Sequence, residues 1–370
     1  MDKVLALFRS ARRAPLSVRV SLTILSLIAI LSICGPMASV HPYDRVYRDY
    51  VLSPPSMKPH PTAAEANRAL EDIAQRMRLH VETIDSRDGN IRAAFSSAQP
   101  IDPRALRAFE RSDVFSVSRL VDASDEGRLL LLDLNLKREV FLFGTDVNGR
   151  DLLTRVLIAG RVSLSVGLLA SFVALFVGVA YGAIAGYAGG WVDDLMMRAI
   201  EIVYALPFIF FVIVLVMLFG RHFALIFVAI GAVEWLDMAR IVRGQTLSIK
   251  RRDYVGAAEA LGANAPAIIW RHVLPNVAGP VIAYLALLAP RVILLESFVS
   301  FLGFGVQEPL TSWGVLIADG ARNIQGAVHL LILPALFLGT TLAALQTLGD
   351  SWRHSFDSDG ARADGALYKL

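Results

Sequence analysis

Residues 254–276 read Tyr254-Val-Gly-Ala-Ala-Glu-Ala-Leu-Gly262-Ala-Asn-Ala-Pro266-Ala-Ile-Ile-Trp-Arg-His272-Val-Leu-Pro275-Asn276. A helix running to Leu261 would stop at Gly262, which reaches the left-handed C′ conformation without a Cβ clash. Pro266 suits the first turn of a second helix, and Pro275 is predicted to close it. The small residues Ala257 and Ala258 leave a shallow surface before the turn. This helix–turn–helix lies in a basic stretch, 240–277, with Arg240, Arg243, Lys250, Arg251, Arg252 and Arg271 against Asp253 and Glu259. Long apolar runs flank it on both sides, so it reads as a loop between membrane spans.

Outward from that loop, the composition agrees. The 370 residues are 55% hydrophobic and 19% charged, below the soluble norm of about 25% charged. Mean hydropathy is +0.53. A bilayer core needs roughly 20 apolar residues per helix, and six stretches qualify: about 18–38, 163–187, 200–220, 223–241, 279–301 and 328–348. Backbone polar groups must be satisfied inside lipid, so all six are predicted to be helices. The expected fold class is an all-α polytopic membrane protein with six transmembrane helices. The first stretch has two competing readings, a cleaved signal peptide ending near Met37-Ala38-Ser39 and a lipoprotein anchor at Cys34. Its length favours a span. A single cysteine excludes an internal disulfide framework or a cysteine-built zinc site.

Basic residues in short loops mark the cytoplasmic side. The tail before the first span carries Lys3, Arg9, Arg12, Arg13 and Arg19 against Asp2. Four spans separate it from 240–277, so both are predicted inside, with 39–150 outside. The loop 188–199, with Asp193 and Asp194 against Arg198, argues the other way and is outweighed.

Of the 69 acidic and basic side chains, 33 fall in 39–150. That polar stretch is predicted to be a small mixed α/β module: a helix from Thr62 to about His80, a short one from Pro103 to Glu110, and strands at 114–121 and 128–136. A spacer, or a docking surface for an extracytoplasmic partner, would explain it. The resulting division is 1–38 tail and first span, 39–150 external module, 151–350 core with five spans and the loop 244–277, and 351–370 cytoplasmic tail.

No G-x-x-x-x-G-K-[ST] occurs, so the chain lacks the phosphate loop. No H-E-x-x-H occurs, and no catalytic residue, metal site or cofactor is expected. A net charge of +3 without a basic, aromatic-laced stripe excludes nucleic acid as a partner. Gly178, Gly182, Gly186 and Gly190 recur every four residues, a small-residue face for close helix packing within this chain or against another. Charges inside spans are the candidates for a translocation path: Glu234, Asp237, Arg291 and Glu296. Pro207, Pro290 and Pro334 each remove a backbone bond within a span.

Several motifs together carry a resemblance. Ala257-Ala258, Gly262 and Leu274-Pro275 resemble the EAA loop of ABC-importer permeases, with Gly256 in place of the motif's glutamate and Glu259 out of register. Phe143-Gly-Thr-Asp146-Val-Asn-Gly149-Arg150-Asp151-Leu-Leu-Thr-Arg155 is similar to the segment before the second span of dipeptide/oligopeptide permease subunits C (DppC/OppC-like). Gly186-Tyr-Ala-Gly-Gly-Trp-Val-Asp193, Arg198 and Pro207 fit the same family. So do Glu296-Ser-Phe-Val-Ser-Phe-Leu-Gly-Phe-Gly-Val-Gln307, Pro309, Ser312-Trp313-Gly314 and Gly349-Asp350. The resemblance runs through 143–356. Pro54-Pro55-Ser56 and His60-Pro61 stand about eighty residues farther from Gly144 than in most of the family, as in permeases resembling the microcin C/oligopeptide type.

The resemblance implies a type I ABC-importer permease fold and a multi-pass protein of the bacterial inner membrane with both termini cytoplasmic. It implies a second, B-type permease subunit, two ATP-binding subunits and an extracytoplasmic substrate-binding protein as partners, besides the membrane lipid. ATPase coupling would fall to Ala257, Ala258, Gly262, His272, Leu274 and Pro275, and peptides would cross by alternating access. An ion-coupled secondary transporter would explain the intramembrane carboxylates but not the loop. A membrane-anchored receptor or scaffold needs fewer spans.

Overall fold

The computed structural model describes residues 15–367, except 88–89, 102–103, 123–127 and 221–222. Lys3, Arg9, Arg12, Arg13 and Pro103 lie outside the described residues. The chain divides into two compact units: one holds the chain through Ala38, Val156–Arg322 and the chain from Leu331 on, the other Ser39–Arg155 and Asn323–Leu330.

The second unit contains α2 (Ala63–Arg76), β1 (His80–Arg87), β2 (Asn90–Ser96), α3 (Arg104–Glu110), β3 (Phe115–Asp122) and β4 (Leu129–Leu136). Thr62 starts α2 through a capping box: its hydroxyl accepts from the Glu65 N–H, and the Glu65 carboxylate accepts from the Thr62 N–H at 2.7 Å. Burial works to raise the Glu65 carboxyl, but hydrogen bonds from Thr62 and the His60 ring hold it below its ordinary value. Ala66, Leu70, Ile73 and Ala74 form the buried stripe of α2. The strand order is β1-β2-β4-β3, antiparallel throughout. The unit therefore repeats a helix followed by a hairpin, with β2 and β4 joining the halves. Alternation sends Ile91, Ala93 and Phe95 of β2 and Leu130, Leu132 and Leu134 of β4 into one core. Arg92 pairs with Asp133 on the opposite face at 2.7 Å.

The segment 143–155 closes this unit through a set of local hydrogen bonds and an ion pair. The Asp146 carboxylate accepts from the N–H groups of Asn148 and Arg150, each at 2.8 Å, and pairs with buried Arg155 at 3.1 Å. Gly149 sits at φ +77°, where a Cβ would lie 2.1 Å from the Tyr47 carbonyl oxygen. The Asp151 carboxylate accepts from the Thr154 N–H at 2.8 Å and its hydroxyl at 2.6 Å, which starts the next helix.

The first unit is helical. Its elements are α1 (Leu16–Ala38), α4 (Leu152–Ala188), α5 (Gly190–Ala205), α6 (Phe208–Phe219), α7 (Phe223–Lys250), α8 (Asp253–Ala260), α9 (Ala265–Phe304), α10 (Trp313–Arg322) and α11 (His329–Leu367). Among the described residues, α1, α4, α9 and residues His329–Ser351 of α11 are long and apolar enough to cross a membrane. The α5–α6 pair adds a fifth crossing if taken as one span.

Three expectations about the course of the helices need correcting. The stretch 200–220 is not one straight helix: α5 and α6 meet at 79°, with Leu206 and Pro207 extended (ψ 121° and 126°). Proline pushes its predecessor out of the helical region, which ends α5 there. Pro290 and Pro334, by contrast, sit inside continuous helices. Residues 188–199 are not a loop, since α5 begins at Gly190. Nor does Pro275 close the second cytoplasmic helix. A wide, π-type turn over Ile269–Val273 precedes it, with the Leu274 N–H reaching back to the Ile269 carbonyl, and the helix runs on through Phe304. A turn already wound wide accommodates a residue with no N–H to give.

The glycines set how closely α4 meets α7. A Cβ at Gly178 would lie 2.6 Å from the Met238 Cβ, one at Gly182 2.3 Å from the Ala239 carbonyl oxygen, and one at Gly186 2.8 Å from the Arg243 carbonyl oxygen. Gly190 does not share this face. The chain turns at Gly189 (φ +66°) and Gly190 (φ +54°), and a Cβ at Gly190 would meet nothing within 4 Å. A helical repeat ends where its helix ends.

Candidate functional site

Two regions of the membrane unit gather chemistry. The first is the α8 turn. Its end is a Schellman cap: the Gly262 N–H donates to the Glu259 carbonyl at 2.9 Å and the Ala263 N–H to the Ala258 carbonyl at 3.1 Å, with Gly262 at φ +83°. Asn264 then caps α9, its side chain accepting from the Ala267 N–H at 3.0 Å. Ala257, Gly262 and Pro275 face outward, while Ala258 and Leu274 are half-buried against the helical core. His272 is half-buried, its ring 6.0 Å from that of Tyr254. Of the pair Ala257-Ala258, only the first therefore belongs to an open surface. Leu261, at 89% exposed, and Trp270, at 74%, extend that surface with apolar side chains.

This turn is tied to the end of α4. The Tyr187 hydroxyl donates to Glu259 at 2.9 Å, and the Lys250 ammonium donates to the Tyr187 carbonyl at 2.6 Å. Arg243 holds buried Asp193 through two hydrogen bonds of 2.6 Å, joining α5 to α7. Asp193, in the acidic stretch after α4, thus neutralises a basic residue of α7.

The second region lies between α5, α7 and α9. Arg291 donates to Asp237 at 2.8 Å, and its Nε stands 3.8 Å from Glu234 Oε2. The Tyr204 hydroxyl also donates to Asp237, and Arg240 stacks over the Tyr204 ring at 4.2 Å. Glu234 is buried and Arg291 about half-exposed (2% and 54% for the side chains). Beside them opens a cavity of about 590 Å3 walled by α5, α6, α7 and α9. Glu296 does not join this group. It is fully buried, with its carboxylate accepting from Ser163 at 3.0 Å and Ser300 at 2.7 Å. It ties α4 to α9 instead of lining the cavity. Sequence reasoning missed Tyr204, Tyr187, Ser163 and Ser300, because no local pattern links residues that meet only across helices.

Residues 178–358, from within α4 into α11 and including the charged group, match the binding-protein-dependent transport system inner membrane components. The oligopeptide transport system permease protein OppC of Escherichia coli K12 is 55% identical over 215 residues, 58% of this chain and 71% of that protein. OppC of Haemophilus influenzae is 53% identical over 215 residues, 58% of this chain and 69% of that protein. The dipeptide transport system permease protein DppC of Bacillus subtilis is 44% identical over 216 residues, 58% and 68% of the two chains. The chain belongs to this family of transport-system membrane components. It is a multi-pass permease subunit of an ABC importer, and the secondary-transporter and scaffold readings are not favoured.

Proposed function

We propose that this permease is the C-type subunit of an ATP-driven importer of oligopeptides or dipeptides. It pairs with a B-type permease, takes energy from two ATP-binding subunits, and receives cargo from an extracytoplasmic binding protein. The observation that carries this reading is the α8 turn. A rigid, capped corner presents Ala257, Leu261 and Trp270 outward, and apolar residues on a basic, non-membrane surface call for a protein cover. The Tyr187–Glu259 bond and the run of α9 from the turn into the membrane give motion at the corner two routes into the spans. The names of the relatives support peptides as cargo. The subunit itself does no covalent chemistry.

In this reading six spans cross the membrane: α1, α4, the broken α5–α6 pair, α7, α9 and α11. Both termini and the α8 turn lie in the cytoplasm, and 39–150 lies outside. Of the acidic stretch that argued against this orientation, Asp193 is paired with Arg243. Reconstituting the chain with its three partner types should give ATP-dependent uptake of tri-alanine, while the pure chain alone should turn over no ATP. Saturable ATP hydrolysis by the pure chain would overturn the assignment.

Orientation has its own test. Single cysteines placed at Asn90 and Ala263, in a Cys34→Ala background, should label from opposite faces of intact cells. Ala263 is chosen because it is exposed and, unlike Asn264, makes no cap with its side chain. Labelling of both from one face would reverse the topology.

A further inference from the structure

The cavity between α5, α6, α7 and α9 is apolar on most of its wall, with Leu206, Phe208, Leu294 and Phe298 among the lining residues, and carries Glu234 and Arg291 at one side. Within that charged group both carboxylates approach Arg291, while Arg240, over the Tyr204 ring, adds a second cation on the Asp237 side. Asp237 has the better of it, taking the Arg291 hydrogen bond at 2.8 Å and the Tyr204 hydroxyl. Glu234 is left with a 3.8 Å approach to Arg291, and its Oε2, buried, has no hydrogen-bond partner. A carboxylate held out of water in that state is costly unless a cation meets it. Glu234, the less satisfied of the two, lines a cavity with room for a few residues of peptide.

We propose that Glu234 receives an ammonium group of the cargo as it passes through this chain. The inference rests on the peptide reading above and adds a chemical preference in the membrane part of the transporter, separate from that of the binding protein. Arg291 spends its hydrogen bond on Asp237 and gives Glu234 only the longer ion-pair approach, so that Glu234 Oε2 keeps room for a donor. The apolar wall then accepts the cargo's side chains with little discrimination.

The test uses the complete transporter in proteoliposomes. Each cargo is presented on binding protein saturated with it, so that capture outside is equal. The cargoes are tri-alanine, N-acetyl-tri-alanine and N-acetyl-Ala-Lys-Ala. The readout is the ratio of uptake between cargoes for one and the same variant, which cancels differences in assembly. In Glu234→Gln, uptake of tri-alanine should fall about tenfold relative to N-acetyl-tri-alanine, and Glu234→Asp should restore part of the ratio. If the lysine peptide falls with tri-alanine, any ammonium is read; if it stays with the acetylated peptide, only the terminal one is. An unchanged ratio in Glu234→Gln, or equal loss of every cargo, would overturn the proposal. A wild-type transporter that carries none of the three peptides would instead overturn the peptide reading, and this proposal with it.

Discussion

Replacing Gly262 with valine should lower peptide uptake by at least about tenfold and reduce recovery of the ATP-binding subunits with the chain. Nothing in this chain lies within 4 Å of a Cβ at this position, so no clash within the subunit accounts for the effect. It comes from the backbone: φ is +83°, and a β-branched residue there is a strong outlier, at a cost of about 1–2 kcal/mol or more. The chain escapes that strain by unwinding the two-bond cap, which moves Leu261 and the start of α9. A graded series makes the argument specific. Asn tolerates the left-handed region, so Gly262→Asn should transport almost normally, Gly262→Ala should fall between, and Gly262→Val should be worst. Uptake that follows side-chain size without following left-handed tolerance would point to a crowded interface. Normal uptake in all three would mean that the corner does not couple to the ATPases.

The second large effect is expected at Gly182. Its Cβ would sit 2.3 Å from the Ala239 carbonyl oxygen and 2.9 Å from the Val242 Cβ. Backbone cannot rotate aside as a side chain can, so α4 and α7 must separate along their whole contact. Overpacking costs typically about 1–3 kcal/mol where neighbours can shift, and more is expected here. Gly182→Val should therefore lower the apparent Tm of the detergent-solubilised chain by several degrees or abolish its accumulation. Gly339→Ala is the contrast: it lies in α11 with open space around its Cβ, and should be neutral or slightly stabilising. Equal melting of the two variants would refute the close-packing account.

How much of this was legible in the residues depends on the range of the interaction concerned. The Gly262 stop, the Pro266 start and the Thr62 helix follow from rules acting over four residues, and the structure has elements there. The strands expected at 114–121 and 128–136 from their branched residues stand at Phe115–Asp122 and Leu129–Leu136. β1 and β2 were not, although Asp88-Gly89 between alternating runs is a hairpin signal; Glu82, Asp85, Arg87 and Arg92 hid the period beneath their charge. The run past Pro275 was missed because a proline normally forbids what a wide turn permits. At the candidate site the charges were visible but not their partners. Asp237, Arg291 and Tyr204 meet across three helices, and Glu296 vanishes among serines from two. Sequence spacing can say which face of one helix a residue takes. It cannot say which neighbour that face will find.

His60 and Glu139 face each other in an antiparallel bridge, each N–H donating to the other's carbonyl at 2.7 and 2.8 Å. The polypeptide thus enters the double helix-and-hairpin module and leaves it through the same two-residue doorway. To the chain before His60 and after Glu139, everything between is a closed loop, and the entropy of closing such a loop grows only slowly with its length. The doorway is braced on both sides: Asp49 before it accepts from Ser112 and the Asp113 N–H, and Tyr47, Tyr50 and Phe141 outside it share the module's core.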